Sequence, residues 1–155
     1  MDVIPQLLLL IFLVFLNGFF VASEFALVGV RKTRIDELVK EGNQTAALVQ
    51  KSLKNLDTFI SATQLGITIA SFGLCCVGEP FIDRLLEPYL ANILPSDAAF
   101  ISAHGLAITI AFSAITFLHI VLGELAPKSI ALQKAEKTSL FIITPLIFFT
   151  TLFKP

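Results

Sequence analysis

Apolar residues occur along this chain in long uninterrupted runs, and short segments between the runs hold nearly all the charges. The following three runs carry no charged residue: Val3–Ser23, Thr58–Gly78 and Ala98–Gly123. A helix that crosses the hydrocarbon core of a bilayer needs about 20 mainly apolar residues. The pattern therefore predicts an all-α membrane protein with three transmembrane helices, at about residues 3–28, 58–79 and 98–124.

Two further segments are predicted to be helices that lie on the cytoplasmic side of the membrane. Residues 31–56 form two short amphipathic helices, broken near Gly42 and Asn43, with apolar residues on one face of each. Basic amphipathic helices of this kind usually lie against lipid headgroups. Residues 138–153 are apolar but too short to span, and they contain Pro145. We interpret this last segment as an interfacial or half-inserted helix.

Composition supports the membrane class and one small domain over residues 1–155. The chain is 55% hydrophobic and 15% charged, whereas a soluble domain is typically about 25% charged. The formal net charge of −1 gives no electrostatic reason to expect a nucleic-acid partner. The adjacent Cys75 and Cys76 lack the spacing of a metal site, and we interpret them as packing residues.

The positions of the basic residues predict the orientation. Of the 11 lysine and arginine residues, only Arg84 lies between the second and third runs. Basic residues concentrate in cytoplasmic loops. With three spans, the N-terminus is therefore expected outside the cell and the C-terminus in the cytoplasm, in a multi-pass protein of the cell (inner) membrane.

Polar residues inside the apolar runs are the candidate functional groups. Acids at membrane depth are costly and therefore suggest function; Glu124 ends the third run, at or just inside the cytoplasmic edge. Because successive spans alternate in direction, polar groups of all three spans are expected to converge in the inner half of the membrane. The groups expected to converge are Asn17, Ser23, Glu24, Gln64, Gly66, Ser71, Gly123 and Glu124.

These oxygen-bearing groups suit a hard cation such as Mg²⁺, which takes about six oxygen ligands. Backbone carbonyls become ligands where a helix loosens, at Gly66 or Gly123, and Pro127 lacks the N–H that the Gly123 carbonyl would normally accept.

Each group also has a structural interpretation. Serine hydroxyls in membrane helices usually donate to the carbonyl four residues earlier, and Asn17 and Gln64 could join helices. Glu24 could pair with Arg31 or Lys32, and Glu124 could pair with Lys128. His104 and His119 are interpreted as packing or interface residues. His119 and Ser113 are poorly placed to act as base and nucleophile, so we do not expect an enzyme.

Three segments resemble the transmembrane domain of the CorC/CNNM family: Asn17–Val28, Thr63–Thr68 and Gly123–Leu132. The resemblance covers nearly the whole chain, in order. It implies a homodimeric magnesium exporter coupled to Na⁺, with three membrane helices and a helical belt. It also implies that the natural chain continues into cytoplasmic CBS domains, which bind ATP. Carried over, the Mg²⁺ ligands are Ser23, Ser71, Glu124 and the Gly123 carbonyl or a neighbouring carbonyl.

The chain departs from many relatives at Ile67, where they have asparagine in the second span, and Ser71 is taken as the substitute. The sodium residues are not assigned by the motifs. The alternative function is a membrane anchor or scaffold for a cytoplasmic regulatory domain. The homodimer is also expected from small-residue faces, which usually contact another helix: Gly66 and Gly73 in the second span, and Ala103, Ala107, Ala111 and Ala114 in the third.

Overall fold

The computed structural model of the protein describes residues 3–93, 105, 109, 110 and 112–153, and every regular element in these ranges is a helix. In chain order the helices are α1 (Val3–Gly29), α2 (Lys32–Lys40), α3 (Gln44–Leu53), α4 (Leu56–Ile93), α5 (Phe112–Gln133) and α6 (Ala135–Leu152). The all-α class predicted from the hydrophobic runs is confirmed for the described residues.

Within the described residues, four segments, rather than three, are long and apolar enough to cross a membrane. They are Ile4–Gly29, Leu56–Gly78, Phe112–Gln133 and Ala135–Leu152. The fourth differs from the prediction because α6 begins before Thr138 and includes the charged residues Glu136 and Lys137 in its first turn. Its 18 residues extend about 27 Å, close to the thickness of the hydrocarbon core.

The segment after α1 folds as predicted, into two short helices with a break at Gly42. This glycine has a positive φ of 87°, a conformation that residues with a Cβ rarely adopt. Asn43 then caps α3, because its side-chain oxygen accepts the Ala46 N–H at 3.0 Å. Ile35 and Val49 are fully buried and join the two helices to the rest of the fold.

Helix α4 is longer than the predicted second span. The apolar part ends at Gly78, as expected, but the helix continues through Pro80 to Ile93. The second span was predicted to end at about residue 79, before Pro80. A proline removes one backbone hydrogen bond and does not always end a helix. The 38 residues of α4 extend about 57 Å, which exceeds the hydrocarbon core.

Helix α5 also extends further than predicted. Most of the first part of the predicted span at residues 98–124 lies outside the described residues. The described helix then continues past Glu124 to Gln133. Glu124 ends the uncharged run but lies within a helix, roughly 13 Å before the helix ends.

Helix α1 contacts both α4 and α5 at glycines. A Cβ at Gly66 would lie 2.6 Å from ring carbons of Phe20, and one at Gly73 would lie 3.2 Å from Leu13. These contacts show that α4 runs antiparallel to α1. Gly66 is buried and Gly73 is half-buried against α1. This face therefore packs mainly within the chain, which corrects its use in the dimer argument.

Helix α6 packs against α1 and α3. Its side chains Ile143 and Leu146 are fully buried. At its start, Arg34 Nε lies 3.3 Å from a carboxylate oxygen of Glu136. Further along, the ring centroids of Phe149 and Phe20 lie 4.6 Å apart. Helix α6 therefore lies beside the half of α1 that ends at Gly29.

Candidate functional site

A π-helical segment, His119–Leu125, interrupts α5. Such segments use hydrogen bonds between residues five apart and occur frequently at functional sites. Pro127 has no N–H to donate to the carbonyl of Gly123, four residues earlier, and its ring lies 3.0 Å from where a Cβ on Gly18 would be. The loosened helix predicted at Gly123 is therefore present, and it contacts α1 closely.

Asn17 joins the three helices at this point. Its side-chain Nδ2 donates to the carbonyl oxygen of Gly123 at 3.0 Å, and its Oδ1 accepts the hydroxyl of Ser71 at 3.3 Å. Asn17 is 1% exposed. The cluster of Asn17, Ser71 and Gly123, which we call the polar cluster, thus contains one residue each from α1, α4 and α5.

The polar cluster lies deep within the predicted spans. From Asn17 to the end of α1 at Gly29 the helix rises about 18 Å, and the hydrocarbon core is about 30 Å thick. Lys128 Nζ lies 4.3 Å from the ring centroid of Phe25, so α5 runs parallel to α1. These directions agree with the alternation expected from the sequence.

Ser23 is fully buried, and its hydroxyl donates to the Phe19 carbonyl at 2.7 Å. This is the structural interpretation that applies to serines in membrane helices. The hydroxyl oxygen keeps acceptor capacity, but the structure does not bring Ser23 into hydrogen-bond contact with the polar cluster.

The other predicted residues are separate from the cluster. Glu124 is exposed in the single chain and makes no hydrogen bond or ion pair within the described ranges. Glu24 is half-buried, and one of its carboxylate oxygens accepts the Thr63 hydroxyl at 3.4 Å. Gln64 is exposed, whereas Gly66 is buried against Phe20 and lies within a regular helix. Of the two glycines proposed to free a carbonyl, only Gly123 lies in a π segment.

His119 lies at the site, although the sequence predicted only a packing or interface role for it. Its Nε2 is buried and has no hydrogen-bond partner among the described residues. Its ring touches the cluster, because a Cβ at Gly123 would lie 2.9 Å from His119 Cδ2. In the sequence, the feature that could have indicated this position is a lone polar residue four residues before Gly123. The Ser113 hydroxyl instead donates to Thr109, so the two do not pair as nucleophile and base.

The chemistry of the polar cluster is that of uncharged oxygen ligands. No group of three or more His, Cys, Asp or Glu side chains that could hold a metal ion occurs in the described part of the chain. Amide, hydroxyl and carbonyl oxygens suit hard cations and do not favour soft transition metals. The acid nearest to the cluster along the chain is Glu124, which follows Gly123 directly.

Comparison with known proteins decides the family. The profile of the cyclin M transmembrane N-terminal domain matches residues 8–155. The chain belongs to this family. The resemblance noted from the three sequence segments is thereby confirmed, and the domain is a multi-pass membrane domain.

Relatives of this cyclin M domain occur in several bacteria. The UPF0053 proteins YhdT and YhdP of Bacillus subtilis (strain 168) are 47% identical over 155 residues and 46% identical over 150 residues. These matches cover 100% and 96% of this chain but 33% of each relative. The uncharacterized protein Rv1841c of Mycobacterium tuberculosis (strain ATCC 25618 / H37Rv) is 36% identical over 157 residues, covering 100% of this chain and 43% of its own length. The chain thus spans about a third of the Bacillus relatives.

Proposed function

We propose that this chain forms the membrane domain of a divalent-cation transporter, which exports magnesium in exchange for sodium. The observation that carries the proposal is the polar cluster, in which three membrane helices bring oxygen atoms together at a π-helical segment. Membership of the cyclin M family supports a transport role over a purely structural interpretation of the same hydrogen bonds.

The first ligands of the ion are the Gly123 carbonyl, Asn17 Oδ1 and Ser71 Oγ. In the described conformation the Asn17 amide donates to the Gly123 carbonyl. A carbonyl oxygen has two lone pairs, so it can keep this hydrogen bond while it binds a cation. Ser23 supplies a further hydroxyl oxygen, which keeps its lone pairs while the O–H donates to the Phe19 carbonyl. A side-chain rotation would bring it to the ion. Water molecules complete the six ligands of magnesium.

Glu124 supplies the negative charge. Its carboxylate is exposed in the described conformation, so we propose that it turns toward the neighbouring Gly123 carbonyl when the ion binds. A unit charge close to a divalent ion contributes far more in a low-dielectric interior than in water. Glu24 and Thr63 are hydrogen-bonded to each other nearer the Gly29 end of α1. We propose that they line the route of the ion on that side.

Alternating access completes the proposed mechanism, with the cluster exposed first to the cytoplasm and then to the outside. We propose a homodimer in the cell membrane, with the N-terminus outside and one ion site in each protomer. Of the small residues expected at the interface, Ala114 is exposed, and Ala103, Ala107 and Ala111 lie outside the described residues. We also propose that cytoplasmic CBS domains bind ATP elsewhere in the longer protein.

Isothermal calorimetry with Mg²⁺ tests the site. Glu124→Gln and Asn17→Ala should each weaken Mg²⁺ binding by at least about tenfold, since even residues that only support a metal ligand typically change affinity 10- to 100-fold. Ser71→Ala and Ser23→Ala should have smaller effects, because water can replace a neutral oxygen. The matched control is Glu41→Gln, which removes an exposed acid after α2 and should bind Mg²⁺ like the wild type.

The helical content and melting temperature of each variant are measured alongside, so that a folding defect is recognised. Unchanged Mg²⁺ affinity in folded Glu124→Gln and Asn17→Ala would refute the site. If the wild-type protein itself bound no divalent cation, the anchor or scaffold function would be favoured instead.

A further inference from the structure

A cavity lined mainly by polar and charged residues lies away from the polar cluster, where the corner between α1 and α2 faces the corner between α5 and α6. Its volume is about 650 Å³, within the range of small-molecule sites. Most of its charged lining is basic: Arg31, Arg34, Lys134 and Lys137, against the acids Glu37 and Glu136. We call this cavity the basic pocket.

The charges in the basic pocket do not cancel. Arg34 is paired with both acids, at 2.9 Å from Glu37 and 3.3 Å from Glu136. The other three basic side chains make no ion pair among the described residues, namely Arg31, Lys134 and Lys137. Three cations around one cavity repel one another unless an anion lies between them.

Two helix N-termini also face the basic pocket. Arg31 is the N-cap residue of α2 and Lys134 is the N-cap residue of α6, and neither helix has a side-chain hydrogen bond that caps its first turn. The first N–H groups of a helix lack partners within the helix, and the helix dipole favours an anion there. The backbone and the side chains therefore favour the same kind of ligand.

Two exposed apolar side chains lie at or next to the basic pocket. Val28, near the end of α1, is 56% exposed, and Leu132, which lines the pocket, is 51% exposed. Acyl chains would cover such side chains if the ligand were a lipid. Basic pockets between membrane helices on the cytoplasmic side are known to bind anionic headgroups.

We propose that the basic pocket binds the phosphate group of an anionic lipid headgroup, with Arg31 and Lys134 as its principal contacts. This inference goes beyond ion transport and does not depend on it. A free phosphate has the same chemistry, so the experiment distinguishes a lipid phosphate from a dissolved one.

The test measures lipid binding to the intact protein, purified in detergent and stripped of lipid. A short-chain phosphatidylglycerol is titrated and its apparent Kd is measured by thermophoresis. A phosphatidylcholine of the same chain length tests the headgroup, and inorganic phosphate tests the free anion. The expected result is binding of phosphatidylglycerol, at least about tenfold weaker binding of phosphatidylcholine, and little competition by millimolar phosphate.

Paired variants locate the site. Arg31→Ala/Lys134→Ala should weaken phosphatidylglycerol binding at least about tenfold. Lys51→Ala/Lys54→Ala removes the same charge from exposed positions near the end of α3 that do not line the pocket, and should change the Kd by less than about twofold. Glu37→Gln/Glu136→Gln releases Arg34 and should tighten binding, a gain that misfolding cannot produce.

The outcomes are separable. If phosphate alone binds with the same sensitivity to Arg31→Ala/Lys134→Ala, and phosphatidylglycerol binds no better, the lipid assignment is overturned in favour of a free anion. If the two alanine pairs weaken lipid binding equally, the effect is one of overall charge and the pocket is refuted. Failure of the acid-to-amide pair to tighten binding also contradicts the proposal.

Discussion

The two halves of this bundle are packed very differently. From Phe20 to Gly29, α1 packs against α6 and the last part of α5, and α3 packs against α6 in turn. This packed half holds one cluster of buried apolar side chains: Phe20, Leu27, Val30, Ile35, Leu38, Ala46, Val49, Ile142, Ile143 and Leu146. Before Asn17, in the open half, Leu8, Phe12 and Phe15 are 61%, 58% and 74% exposed.

The open half also contains an apolar cavity of about 460 Å³ between α1, α4 and α5, with Leu10, Leu74 and Ile115 among its lining residues. The polar cluster lies at the boundary between the halves. Elements with few buried contacts rearrange at low cost. Among the described residues, the cluster therefore has a closely packed side, toward Gly29, and a side with fewer buried contacts, toward Val3.

The largest expected effect is a difference in cysteine labelling, which shows which half faces the cytoplasm. In a Cys75→Ala/Cys76→Ala background, which removes the two exposed native thiols, a cysteine at Arg84 should react with a membrane-impermeant maleimide in intact cells. A cysteine at Asn43 should react only after lysis. The physical reason is the concentration of basic residues between α1 and α4. The opposite labelling pattern would place the packed half outside.

The contrast in packing predicts a large difference between neighbouring residues of α6. Ile143 is fully buried and Phe141 is 82% exposed. Ile143→Ala should lower the free energy of unfolding by about 2–5 kcal/mol, toward the lower end because lipid is itself apolar. Phe141→Ala should change it by about 0.5 kcal/mol or less.

Circular dichroism during denaturation measures both variants, since the chain has no tryptophan and one tyrosine. Equal destabilisation by the two substitutions would contradict the burial of α6 against the packed half.

A medium effect is expected where α4 approaches α1. Gly66→Ala places a methyl group 2.6 Å from the Phe20 ring, and the ring is itself held by Phe19 and Phe149. The overpacking should cost about 1–3 kcal/mol. Gly29→Ala, whose Cβ would make ordinary contacts at 3.4 and 3.6 Å, should leave stability unchanged or slightly higher. A stable Gly66→Ala variant would show that the helices are further apart than described.

The smallest effect concerns the exposed ion pairs that tie α2 to α6. The hydrogen bond to Glu37 and the charge of Glu136 raise the pKa of Arg34 above its ordinary value. A raised pKa stabilises the fold at every pH below the ordinary value for arginine and is lost only above it, so no pH dependence is expected near neutrality. Arg34→Ala should lower the melting temperature slightly, and 1 M salt should remove the difference, because exposed pairs are weak and screened. A loss that persists in high salt would indicate a packing role.

Local signals made much of the fold predictable. Hydrophobic runs located α1 and the apolar part of α4, and Gly42 with Asn43 located the break between α2 and α3. The extents of α4 and α5 were not predictable in this way, since Pro80 and Glu124 interrupt the apolar pattern without ending the helix. Hydrogen bonding within the helix and packing against α1 outweigh one unfavourable residue.

The candidate site was predicted in part. The absent N–H of Pro127 correctly indicated a loosened helix at Gly123. The central position of Asn17 was missed, because its partners lie far along the chain and local spacing carries no information about them. Ser23 and Glu124 belong to the expected segments, but their side chains are directed to Phe19 and to the exposed surface.

The π segment sets the rotation of one end of α5 relative to the other. A bond between residues five apart holds one more residue than an α-helical bond, and each residue turns a helix by about 100°. The two ends of α5 are therefore out of phase by one residue. Deleting a single residue between His119 and Leu125 would bring the ends into phase, but would swing Pro127 away from Gly18 and Lys128 away from Phe25. At this place the number of residues, more than their identity, specifies which face of α5 meets α1.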